Sequence, residues 1–108
     1  MKYIRLLFLR IAEWFRPHYK IKFSEDLPSV VTDNKMYIIG THGHYWLLMF
    51  NCPCGCNNPI QLNLLKDASP TWRYRISKTK KISITPSIRR TSGCKSHFYV
   101  RNGRIDWT

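Results

Sequence analysis

The chain has 108 residues, enough for one small domain whose core gains from a staple such as a bound metal. Hydrophobic content of 44% with 14% aromatics excludes a solvated disordered tail. Eighteen Lys and Arg against six Asp and Glu leave +12, which calls for an acidic partner (nucleic acid, an anionic membrane, an acidic protein surface) unless the charge serves solubility alone.

Residues 1–16 read as a helix. Ile4, Leu7, Phe8, Ile11 and Phe15 fall on one stripe, Leu6, Leu9 and Trp14 widen it, and Pro17 ends the segment. Such a basic amphipathic helix packs on the domain or rests on a membrane or partner; it is too short and too charged to span a bilayer. Arg5 and Arg10 interrupt the apolar run and no small-residue cleavage site follows, so a secretory signal is not expected. The organisation expected is a basic helical extension over residues 1–19 and a zinc-binding β domain over residues 20–108.

After Pro17 the hydrophobic period changes from 3.6 to two. Met36–Ile39 and Tyr45–Phe50 read as strands, and Ile60, Leu62 and Leu64 alternate with Gln61 and Asn63. Trp72, Tyr74 and Ile76 alternate with Arg73 and Arg75, predicting one buried and one basic face. Ile82 and Ile84 continue that pattern after the Lys-rich turn at 78–81. His97–Val100 and Arg104–Trp107 flank Asn102-Gly103, a strong two-residue hairpin signal. The fold class expected is mostly β: a small, antiparallel, zinc-stapled domain with an N-terminal amphipathic helix.

Chemistry concentrates in two short clusters. Cys52-Pro53-Cys54-Gly55-Cys56 holds three thiols, and Cys94-Lys95-Ser96-His97 adds a thiol and an imidazole. Zinc takes four tetrahedral N/S ligands, so these five side chains compose one metal site closed by distant parts of the chain. Cys94 and His97 with two of Cys52, Cys54 and Cys56 is the set expected. Gly55 lets the backbone turn between the thiols. Two disulfides are the alternative, but cysteines one residue apart pair poorly, and a disulfide framework leaves His97 unused. Metal ligation in a reducing, cytoplasmic setting is therefore expected. His42-Gly43-His44 could supply further ligands, but in a Gly-containing loop between two strands an exposed turn is the commoner reading; His18 has no evident partner.

Catalytic groups are scarce. H-E-x-x-H and G-x-S-x-G are both missing, and only six carboxylates exist. Glu25, in Phe23-Ser24-Glu25-Asp26-Leu27, is a candidate proton shuttle or a turn residue. Ser87 after Pro86 and Ser96 beside His97 are candidate nucleophiles or turn residues. Spacing alone assembles no Ser-His-Asp triad.

Cys52–Cys56, Ile84-Thr85-Pro86-Ser87-Ile88, Cys94-Lys95-Ser96-His97-Phe98 and Ile105-Asp106-Trp107 together resemble a family of small bacterial proteins. Its pattern is CxCGC, P-x-x-W, a strand ending in PSI, C-x-SH-aromatic and a last strand ending in Trp. Pro70-Thr71-Trp72 is a variant one residue shorter, and Glu25 with Leu27 matches a glutamate and leucine near the family's start. The resemblance covers roughly residues 20–108. It implies the peptidase of bacterial ubiquitination-like (Bub-type) operons, which processes or removes a ubiquitin-like protein.

Three functions follow. The first is a zinc-containing peptidase. In its metal-dependent version Glu25 takes a proton from zinc-activated water; in its serine version Ser87 or Ser96 attacks and zinc only holds the loops. Its partners would be a ubiquitin-like protein and its conjugates, docked on the basic stretch from Pro70 to Arg104. The second is a non-enzymatic zinc module binding nucleic acid through that stretch with Trp72 and Tyr74. The third is a structural subunit of a larger complex.

Overall fold

The computed structural model describes residues 18–56, 58–90 and 93–108. The helix expected over residues 1–16, and with it any membrane contact of that segment, lies outside them.

The described chain forms eight strands: β1 (Lys20–Ser24), β2 (Lys35–Thr41), β3 (His44–Asn51), β4 (Pro59–Asn63), β5 (Arg73–Ile76), β6 (Ile82–Arg89), β7 (His97–Arg101) and β8 (Arg104–Trp107). They compose two four-stranded sheets, each in sequential order, β1-β2-β3-β4 and β5-β6-β7-β8. Every neighbouring pair is antiparallel except β1–β2, which is parallel. β1 was not anticipated. Its exposed lysines leave only Ile21 and Phe23 to alternate, and a parallel partner reached through residues 25–34 leaves no hairpin signal.

Alternation decides which faces meet. Ile38, Leu48, Phe50 and Leu62 of the first sheet share one apolar cluster with Ile84, Ile88, Phe98 and Val100 of the second. Phe50 meets Phe98 edge-on at 6.2 Å between ring centroids, and Phe98 meets Trp107 at 5.5 Å. The first sheet also buries its other face, where Tyr37, Ile39 and Met49 pack against Val31 from the β1–β2 connection. Among the described residues the second sheet leaves its other face open: Arg73, Arg75, Thr85, Arg89 and Arg101 are exposed there.

The predicted turn at Asn102-Gly103 closes β7–β8 with both residues at positive φ (51° and 77°), as a two-residue hairpin requires. A Cβ at Gly103 would stand 3.1 Å from His18, whose neighbour Tyr19 donates to the Gly103 carbonyl at 2.9 Å. That turn therefore pins the start of the described chain to the second sheet. Among the described residues no helix is long and apolar enough to cross a membrane.

Candidate functional site

The Cys52–Cys56 loop leaves β3 at the edge of the shared core. Cys52 donates its N–H to Asn58 O at 2.9 Å, closing the loop, and Gly55 turns at φ 90°. Cys94 arrives on the segment before β7, where Arg90 N–H donates to Ser96 O at 2.8 Å. The four sulfurs all lie within 4.8 Å of one another. Cys52 Sγ is 3.3 Å from Cys54 Sγ and 3.5 Å from Cys94 Sγ. All four cysteines are free, and these separations are far beyond a disulfide bond. A tetrahedral ion with S-ligands at about 2.3 Å places sulfurs about 3.8 Å apart, so the cluster fits such an ion.

The thiols are electrostatically unequal. Burial pushes Cys52 up to about 12. At Cys94 burial also raises the pKa, but hydrogen bonds from the Ser96 side chain and backbone outweigh it and bring the thiol to about 6. Burial raises Cys54, whereas a backbone hydrogen bond from Asn58 leads the lowering of Cys56. A cation among them would favour thiolate throughout. The four cysteines therefore compose a site that could hold a metal ion.

His97 is elsewhere. The set expected from sequence combined His97 with Cys94 and two of the other cysteines; the structure gathers all four cysteines and turns the His97 ring to Ser87. His97 Nε2 is 3.0 Å from Ser87 Oγ. The physical reason is alternation along an extended chain, since neighbouring side chains point to opposite sides. Ser96 Oγ faces the sulfurs, 3.1 Å from Cys94 Sγ and 3.9 Å from Cys52 Sγ. His97 opens β7 on the open face, and Phe98 follows into the core.

Ser87 sits in an irregularity of β6. Ile84 pairs with Val100 and Ile88 with Phe98, so four steps along β6 oppose two along β7. Bulges of this kind re-aim side chains and recur beside active sites. Ser87 is thereby presented to His97, which pairs with Arg89. Trp72 fixes the backbone there: its indole N–H donates to Ser87 O at 3.3 Å, and its own N–H donates to Asn63 O at 2.9 Å. The Ser87 carbonyl is thus tied to the end of β4. Sequence reasoning placed Trp72 on the buried face of β5 and assigned it no part in positioning Ser87.

Among the described residues no carboxylate hydrogen-bonds to the His97 ring, which makes the arrangement a pair and not a triad. Glu25 is exposed in the turn after β1, where Ser24 Oγ donates to Asp26 O at 2.8 Å, and is not part of the sulfur group. His42 and His44 are exposed at the β2–β3 turn, as expected. His18 lies against Gly103, its pKa lowered by desolvation and then by Lys81 and Arg104.

Fold and site define a class: a two-sheet β protein with a four-thiol cluster on one side of the β7 entry and a Ser-His pair on the other. Residues 23–108, about four-fifths of the chain, match the family described as bacterial ubiquitination-like system serine protease (BubE), and the chain belongs to that family. No curated protein and no solved structure gives a significant match.

Proposed function

We propose that this protein is a serine peptidase that processes or deconjugates a ubiquitin-like protein, with Ser87 as nucleophile and His97 as general base. One observation carries the assignment: the 3.0 Å approach of His97 Nε2 to Ser87 Oγ on an open face, in a family described as serine proteases. In the tautomer with Nε2 bare, Ser87 donates its proton to His97 as Oγ attacks the scissile carbonyl carbon. The acyl–Ser87 ester forms as His97 returns that proton to the leaving amine. Water, deprotonated by His97, then hydrolyses the ester, releasing the carboxyl product and regenerating Ser87.

The four cysteines, as thiolates, would hold a zinc ion that clamps the Cys52–Cys56 loop to the segment leading into His97. Four protein sulfurs leave no open position, so the ion's chemistry there is structural. This favours the serine route over the zinc-water route through Glu25. Ser96 is placed to donate to the Cys94 thiolate instead of attacking a carbonyl. Four free thiols suit a reducing compartment such as the cytoplasm.

The test is cleavage of a ubiquitin-like protein carrying a C-terminal extension. Ser87→Ala should abolish cleavage while Ser96→Ala and Glu25→Gln retain it. Cleavage by Ser87→Ala at the wild-type rate would refute the assignment.

A further inference from the structure

The open face of the second sheet carries more than the Ser87–His97 pair. Arg73 and Arg75 project from β5 on the side away from the core. In register across from them on β6 stand Thr85 and Ser83. These four side chains with Tyr74 line a shallow cleft of about 260 Å³. Among the described residues neither arginine has a carboxylate partner; Arg101, on the same face, is paired with Asp106. Two exposed guanidinium groups beside two hydroxyls offer donors and no negative charge, which is the chemistry of a carboxylate receptor. The cleft also lies close to Ser87 along β6, through Thr85 in its lining. Thr85 is two positions from Ser87, at most about 7 Å along an extended strand.

We infer that the Arg73–Arg75 cleft receives acidic side chains of the polypeptide substrate flanking the bond that Ser87 attacks. The inference rests on the serine-peptidase reading of Ser87 and His97. Charge complementarity supports a polypeptide with carboxylates: residues 70–104 contain ten Lys and Arg and no Asp or Glu, and Asp106, which pairs with Arg101, does not engage Arg73 or Arg75. Nucleic acid fits less well, because Trp72 and Tyr74 are half-buried and Arg101 already stacks on the Tyr99 ring, 4.2 Å from its centroid.

The test uses two quenched decapeptide libraries, one with Asp and Glu flanking a randomised centre and one with Asn and Gln in their place. Binding is measured on Ser87→Ala, and cleavage on wild type and on the Arg73→Gln/Arg75→Gln double variant. The acidic library should bind Ser87→Ala more tightly, roughly tenfold at low salt and less at high salt, as expected for charge pairs at a partly exposed rim. The double variant should lose that preference yet keep its rate on the neutral library and its labelling by a fluorophosphonate. Equal binding of both libraries would overturn the inference, whether or not either is cleaved. So would an acidic preference that survives in the double variant, or an oligonucleotide that binds through Arg73 and Arg75 while acidic peptides do not. Acidic peptides that bind as expected but are cleaved equally by Ser87→Ala would instead overturn the peptidase assignment of Ser87.

Discussion

The sulfur cluster and the Ser87–His97 pair are three residues apart along the chain at Cys94 and His97, yet they differ in how they are made. The cluster is assembled from residue types that attract one ion: its geometry follows wherever four thiols can reach a common centre. The pair is assembled by register: a bulge in β6 and the first residue of β7 must coincide. The comparison separates a region proposed to hold the fold from a region proposed to do the chemistry, and on that proposal the second depends on the first. The segment that delivers His97 carries Cys94 into the sulfur cluster, so on the proposed reading losing a metal there should disable the pair, while losing the pair should leave the cluster intact.

Breaking the pair gives the largest effect on rate. Ser87→Ala or His97→Ala should lower kcat/KM by about 10⁴-fold or more, the range seen when a nucleophile or its base is removed. Metal content by elemental analysis and Tm should stay at wild-type values. Breaking the cluster comes next. Cys94→Ser, or stripping with a strong chelator, should remove metal, lower Tm and reduce activity together, because binding free energy here is folding free energy. Activity retained by a fully stripped, folded protein would dissolve the proposed dependence.

Two milder substitutions sharpen the comparison. Ser96→Ala should weaken metal affinity by about 10-fold, as loss of a hydrogen bond to a ligand typically does, with kcat intact in the loaded protein. A loss of kcat like that of Ser87→Ala would make Ser96 the nucleophile. Trp72→Phe keeps an aromatic ring but deletes the donor to Ser87 O. It should cost stability about 1 kcal/mol, the net worth of one such bond, and lower kcat several-fold with KM unchanged. The smallest effect belongs to Glu25→Gln, whose exposed side chain should leave metal, Tm and turnover alone.

Most of the strands were legible because burial on one face imposes alternation: Ile82, Ile84, Phe98, Val100 and Ile105 announce their sheet. The turn at Asn102-Gly103 and the exposed arginines of β5 followed from local chemistry. The thiol cluster was legible as a cluster that could hold a metal, because thiols one residue apart have few other uses. Its membership was harder to read. A CxxH spacing offers His97 as a ligand, and only the alternation at Ser96 and His97 across the entry to β7 sends one side chain to the sulfurs and the other to Ser87. The Ser87–His97 contact depends on the β6 irregularity between Ile84 and Ile88, and no local residue pattern states how many residues a bulge will absorb. Parallel β1 was hidden for a related reason, since its pairing is set by a partner reached across the ten residues 25–34.

The central claim is that Ser87 is activated by His97 while the thiols serve the fold. It is tested most directly by reacting the metal-loaded protein with a fluorophosphonate and mapping the modified residue by mass spectrometry. The account predicts a single stoichiometric adduct on Ser87, lost in His97→Ala and unchanged in Glu25→Gln. An adduct on Ser96, or undiminished labelling of Ser87 in His97→Ala, would contradict it.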